Sequence, residues 1–355
     1  MNRQALRTVA EHIFRLRDSH RLSAAEYKAI LRDDTPETLE LLRAQAREAA
    51  DEVFGRGIFV RGLLEISNHC RNNCLYCGLR SSDTALVRYR LTKQEILSCC
   101  SAGHLLGLRT FVLQGGEDPA QTDAWVENVT AEIHASFPDC AITLSLGEKS
   151  PQGYRRFRRA GADRYLLRHE TADPAHYNIL HPAPMSQRKR LECLRTLKRE
   201  GYQTGTGFMV GSPRQTLDNI VEDLLFIQDF RPEMIGIGPF IHHSATPFAH
   251  ESDGSVPLTL KLLSILRLMD PQALIPSTTA LSTLCPHART EGLLAGANVV
   301  MPNISPAGVR DLYSIYPGKA SSGAEAVEGL EELKKELAAA GFHIAEGRGD
   351  YKKAS

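Results

Sequence analysis

Three features of this 355-residue chain predict an α/β fold, a complete (β/α)8 TIM-type barrel. Eight short runs rich in Val, Ile and Leu recur along it, as the buried strands of a parallel sheet require. Amphipathic stretches of helical period separate the runs, and eight such units favour a barrel over a doubly wound open sheet. Polar residues gather where the runs end, the face on which such barrels carry their chemistry.

Residues 1–55 read as an N-terminal helical extension, with Pro36 set at a first helical position after Asp34-Thr35. The barrel is expected over 56–320. Its strands are expected at 62–67, 110–114, 141–146, 164–168, 204–210, 234–239, 274–278 and 298–301. Helices are expected between them at 92–106, 125–137, 188–200, 217–229 and 260–269. Residues 321–355 are expected to form a C-terminal helical cap.

Composition narrows the function classes. Hydrophobic residues make up 42% of the chain, ample for a large core. Lys plus Arg number 42 and Asp plus Glu 42, a balance that argues against a dedicated nucleic-acid binder. No apolar run reaches the ~18 residues of a membrane span. The first 18 residues are rich in Arg and lack an apolar signal core, so a cytoplasmic location is expected. In that compartment the eight cysteines are better read for metal or catalysis than for disulfides.

The strongest motif follows the first strand. Cys70, Cys74 and Cys77 lie at Cys-x3-Cys-x2-Cys spacing. Three thiolates in one loop suit a soft metal centre. Structural zinc takes four protein ligands, and His69 is a poor fourth because neighbours on an extended chain point opposite ways. A [4Fe–4S] cube on three cysteines leaves one iron open to a chelating small molecule, which fits better. Cys99, Cys100 and Cys193 fall in helical patterns and read as small buried hydrophobes.

Other candidates sit at strand ends. Gln114-Gly115-Gly116-Glu117 follows the second strand; the glycines permit close approach of a ligand, and Glu117 suits an ammonium group. Arg168 and Glu170 share a face of the fourth strand, where they either pair with each other or hold a ligand. Arg168 suits a carboxylate. Arg190 opens the next helix and, on residue type alone, reads as a solvated charge. Thr278 and Thr279 end the seventh strand and Met301 the eighth; each also suits plain strand or core. Tyr313 and Tyr316 lie beyond, placed to close the barrel mouth.

The cysteine spacing after a first barrel strand resembles the radical S-adenosylmethionine (SAM) superfamily, with Tyr76 matching the aromatic residue set beside the adenine. More narrowly, the chain is similar from about 62 to 319 to the HydE-type maturases of [FeFe]-hydrogenase. The similarity includes Cys77-Gly78-Leu79-Arg80, Gly116-Glu117-Asp118, the run AGADRYLLRHET at 160–171, Gly236-Ile237-Gly238-Pro239-Phe240-Ile241, Thr278-Thr279-Ala280 and Tyr316-Pro317-Gly318-Lys319. Biotin synthase and methylornithine synthase are more distant relatives.

The resemblance implies one [4Fe–4S] cluster on Cys70, Cys74 and Cys77, with SAM on its open iron. Electron transfer from the cluster then yields a 5′-deoxyadenosyl radical. SAM is held by Tyr76, Gln114, Gly115, Gly116, Glu117, Ser145, Glu170 and Arg190. Arg168, Thr278, Thr279, Met301, Tyr313 and Tyr316 match the substrate cavity. The implied substrate is a small iron complex with carbon monoxide, cyanide and a cysteine whose sulfur the radical attacks, giving a di-iron precursor. The implied partners are a synthon-making radical SAM maturase, a GTPase scaffold and a one-electron donor. Some members carry a second cluster after the Tyr-Pro-Gly-Lys stretch; residues 320–325 here hold no cysteine, so one cluster is expected. The alternatives are a methylornithine synthase-type mutase and a sulfur-inserting enzyme of the biotin synthase type.

Overall fold

A computed structural model describes residues 3–319 and 326–352; the 320–325 stretch that bears on the second cluster lies outside them. Six parallel strands form a continuous ladder: Gly62–Ser67, Thr110–Gly115, Ala141–Ser145, Arg164–Leu166, Gln203–Thr206 and Met234–Ile235. The remaining two positions are thinner than the sequence suggests. The expected seventh strand contributes single bridges, Leu274 to Met234 and Pro276 to Val299. The eighth is Val299–Val300. The ring returns to its start where the Leu63 amide donates to Pro302 O at 2.9 Å and the Ile304 amide to Leu63 O at 2.8 Å.

Two expected strands are interrupted. The run 204–210 divides into Gln203–Thr206 and Met209–Val210, and 234–239 into Met234–Ile235 and Gly238–Pro239. Gly207 explains the break: a Cβ there would lie 1.9 Å from Gly236 O, so the two chains cross closer than any side chain permits. The helices between strands start where Ser and Thr accept amides of the first turn. Thr92 and Thr216 do so within full capping boxes.

Helices Arg3–Ser19, Ala24–Arg32 and Pro36–Phe54 precede the barrel, the last with Pro36 in its first turn as expected. Their apolar faces, including Ile13, Leu16, Tyr27, Ile30 and Leu42, join one core with the barrel helices. Buried Lys261, on helix Val256–Met269, donates to Asp33 O at 2.8 Å and Leu31 O at 3.2 Å, which caps the second helix from the barrel side.

The C-terminal segment is not helical throughout. Helix Ala326–Ala339 is followed by strand His343–Ile344, which pairs with Gly57–Val60 below the barrel. Residues 348–350 then seal that end. Arg164 Nη2 donates to Arg348 O, Gly349 O and Asp350 Oδ1 at 2.8, 3.0 and 2.6 Å. The opposite end holds the cysteine loop and a cavity.

Candidate functional site

The cysteine loop is fastened from several sides. Arg88 donates to the carbonyls of Asn68 and Leu79 through Nη1 and of Arg80 and Asp83 through Nη2. Asn68, fully buried, donates to Val87 O and Leu312 O, both at 2.8 Å. Gly78 packs so tightly that a Cβ would lie 2.2 Å from Ser314 O. Gly116 likewise passes within 2.7 Å of Cys70 Cβ, counted from its own absent Cβ, which brings the second-strand turn against the loop.

The three thiols sit in partial burial that opposes ionisation. Burial, and then the Cys77 and Cys70 thiols, push Cys74 well up; burial, against a Leu79 amide that lowers it, pushes Cys77 up to about 12. Three thiolates here require a shared positive charge, which iron supplies. A single tetrahedral zinc would draw its sulfurs to roughly 2.3 Å from one point. Among the described residues, the one group of three such ligand atoms within 4.8 Å of one another is His104, Asp139 and Cys140, not the loop.

Beside Tyr76 and Cys77 a cavity of about 330 Å³ opens into the barrel. Gln114, Arg168, Glu170, Thr278, Thr279, Met301 and Tyr316 line it, so nine of the expected residues, Tyr76 and Cys77 included, meet in one space. Arg168 Nη2 lies 3.4 Å from Glu170 Oε2, but the alignment is not that of a hydrogen bond. Arg168 Nε and Nη2, Glu170 Oε2 and Thr278 Oγ1 are buried with no hydrogen-bond partner in the protein. Such groups are costly without a ligand. Their donors and acceptors fit the carboxylate and amino or hydroxyl groups of SAM and of an amino-acid-derived substrate.

Other expected residues lie outside the cavity lining. Tyr313 is buried behind Gln114 and hydrogen-bonded to it, with Lys319 Nζ 4.9 Å from its ring centroid. Ser145 closes its strand, its backbone paired with Gln114. Gly115 ends the neighbouring strand. Glu117 turns to an outer groove, where Oε2 accepts Arg71 Nη2 at 2.9 Å and Oε1 accepts the Glu148 amide at 2.8 Å. Arg190 is not a solvated charge. It is 8% exposed, Nε donating to Glu148 Oε1 at 2.8 Å and Nη1 to Arg168 O at 3.1 Å.

Sequence reasoning missed Glu65, Lys319 and His181. Glu65 is fully buried, lines the cavity, accepts from Asn303 Nδ2 at 2.7 Å and pairs with Lys319. A lone Glu inside the apolar run Gly62–Ser67 was its signal. His181 Nε2 lies 3.3 Å from Tyr76 Oη, and nothing in its spacing marked it.

Comparison with known proteins now bears on this geometry. The radical SAM superfamily profile matches residues 64–227. A curated relative, the [FeFe] hydrogenase maturase subunit HydE of Thermotoga maritima, is 46% identical over 280 residues, covering 79% of this chain and 80% of that one. The chain belongs to the HydE family of radical SAM enzymes. The 3-methylornithine synthase of Methanosarcina acetivorans is 28% identical over 286 residues, covering 80% of each chain. The crystal structure of methylornithine synthase superposes with a TM-score of 0.84 at 24% identity, covering 94% of this chain and 97% of that one, which supports the barrel. For a HydE-family chain the implied cofactors are a [4Fe–4S] cluster and SAM, and the loop and cavity have the donors to hold both. No helix among the described residues is long and apolar enough to cross a membrane.

Proposed function

We propose that this enzyme takes part in [FeFe]-hydrogenase maturation, acting on a small iron complex that carries carbon monoxide, cyanide and a cysteine. The observation that carries the reading is the set of unpartnered buried atoms on Arg168, Glu170 and Thr278 in a cavity reached from the three-cysteine loop. Bound cluster and SAM supply a one-electron cleavage that yields the 5′-deoxyadenosyl radical.

The chain's own residues divide the remaining work. Cys70, Cys74 and Cys77 hold a single cluster. Tyr76 packs the adenine, steadied by His181. Glu170, with Gln114, Ser145 and the backbone of the Gly115-Gly116 turn, holds the polar groups of SAM, while the Glu117 carboxylate fastens that turn through Arg71 and the Glu148 amide. Arg190 fixes the Arg168 carbonyl and adds a positive charge nearby. Arg168, Thr278 and Thr279 grip the substrate carboxylate, so that its sulfur faces the SAM side. Met301 and Tyr316 exclude water, and Tyr313 braces Gln114. A cytoplasmic setting, an external one-electron donor and two maturation partners, a synthon-making radical SAM maturase and a GTPase scaffold, complete the scheme. The helical extension from 3 to 54 and the described residues 326–352 support the barrel.

The test is anaerobic reconstitution with iron and sulfide counting, then EPR of the reduced protein with and without SAM. About four irons per chain and a SAM-perturbed signal are expected, from one cube with an open iron. Deoxyadenosine formation driven by the iron–cysteine complex would support the substrate. Turnover of a lysine-type amino acid instead would overturn it in favour of a mutase.

A further inference from the structure

His169 lies between Arg168 and Glu170, just past the strand Arg164–Leu166, and its side chain packs against helix Leu217–Phe230 on the outer side of the barrel wall. Its ring is fully buried, against Phe226 at 4.7 Å between centroids. Thr206 Oγ1 accepts the His169 amide at 3.2 Å and lies 2.8 Å from Nδ1. Because the acceptor facing Nε2 is a carboxylate oxygen, the ring proton sits on Nε2 and the Thr206 hydroxyl hydrogen goes to Nδ1. Nε2 faces Asp223 Oδ1 at 3.2 Å. Asp223 comes from helix Leu217–Phe230, and its side chain is also fully buried. The same Oδ1 accepts the Ala172 amide at 2.5 Å.

The Asp223 carboxylate therefore grips the chain on both sides of Glu170. Glu170 needs that grip. Its φ is +67°, the left-handed region that a residue with a Cβ adopts at a cost and keeps only when its surroundings fix it. A parallel bridge to Phe208, in which the Glu170 amide donates to Gly207 O at 3.1 Å, holds its backbone, but nothing in that bridge fixes the side chain's direction. Neither His169 nor Asp223 lines the cavity, so neither reaches a ligand there.

We infer that Asp223 and His169 form a positioning unit that holds the left-handed turn at Glu170 and so aims its carboxylate into the cavity beside Arg168. The inference rests on the reading that Glu170 contacts SAM. It assigns helix Leu217–Phe230, outside the barrel wall, a role in cofactor binding.

The experiment uses the full chain, reconstituted without oxygen, with SAM affinity read by EPR titration and iron counted on each sample. Glu170→Ala should weaken SAM binding. Asp223→Ala and His169→Ala should each weaken it about tenfold, the scale of losing an orienting partner, with iron content unchanged. Asp223→Asn should recover most of the affinity, because an amide oxygen still accepts from Ala172 and His169. The Asp223→Ala, Glu170→Ala double variant should bind no more weakly than Glu170→Ala alone, since both act through one group. Full iron with wild-type SAM affinity in the two alanine variants at 169 and 223, beside a weakened Glu170→Ala, would overturn the positioning role. Additive losses in the double variant would also overturn it. Unchanged binding in Glu170→Ala would instead overturn the SAM reading beneath it. Should Asp223→Ala fail to fold, His169→Ala carries the same comparison.

Discussion

Two arginines four residues apart, one opening the strand Arg164–Leu166 and one just past its far end, meet opposite fates. Arg164, at the sealed end, is fully buried and donates to Gln203, Thr110, two tail carbonyls and Asp350. Arg168, at the open end, keeps Nε and Nη2 without a hydrogen-bond partner and lies loosely beside Glu170. Leu166 lines the cavity between them. A protein that could afford to leave a guanidinium unsatisfied anywhere would not have spent a tail on Arg164. The contrast marks Arg164 as structure and Arg168 as a group awaiting a ligand.

The comparison predicts that stability and activity separate along this strand. Arg164→Met should cost the most stability, about 3 kcal/mol, since it strips the tail carbonyls and leaves Asp350 with Arg348 as its one paired cation. Thermal unfolding would show it. Adding Asp350→Ala should return part of the loss, because removing both charges is cheaper than removing one. A neutral Arg164→Met would break the contrast at its structural end.

Arg168→Met should do the reverse. Its unfolding temperature should match or exceed that of the parent, while substrate-driven deoxyadenosine formation falls by kcat/KM of roughly 10–100-fold, the value of charged hydrogen bonds worth about 1.5–3 kcal/mol. Iron content and the SAM-perturbed EPR signal should persist. A destabilised Arg168→Met with ordinary activity would turn the reading of both arginines around.

Thr278→Val removes a single neutral partner. The hydroxyl is buried without a partner, so its loss should leave stability within about 0.5 kcal/mol and raise the substrate KM about fivefold, for one hydrogen bond of about 1 kcal/mol. An increase in stability with no change in KM would mean that the hydroxyl meets no ligand.

How much of this was legible in sequence depends on how local the cause is. The cysteine loop, the helix over 92–106 and the meeting of Arg168 with Glu170 follow from patterns over a few residues, and the structure has that helix at Lys93–Leu105 and the two side chains 3.4 Å apart. The thin seventh strand was not legible, because an apolar run states burial and not how many ladder bonds it makes. Arg190 read as a solvated charge because its partner, Glu148, is 42 residues away. The sealing of the barrel by residues 348–350 pairs chain positions nearly 200 apart, Arg164 with Asp350 among them, and no local pattern records such a contact. Glu65 was visible as an anomaly in an apolar strand, but its partner Lys319 is 254 residues on.

The smallest effect expected is a pH dependence at the sealed end alone. Burial raises the Asp350 carboxyl, but the Arg164 charge and its hydrogen bond outweigh that and hold the carboxyl below the usual aspartate value. A carboxylate whose pKa is depressed by folding stabilises the fold above the unfolded value near 3.9, and that stability is lost as pH falls through the folded value. The side chain is 37% exposed, so solvent screening keeps the contribution modest. Unfolding temperature followed from pH 6 down to about 3 should therefore fall more steeply in the parent than in Asp350→Asn, with the two curves converging at the acid end. Parallel curves would show that Asp350 is held by its hydrogen bonds and not by its charge, and Arg164 would then differ from Arg168 in geometry alone.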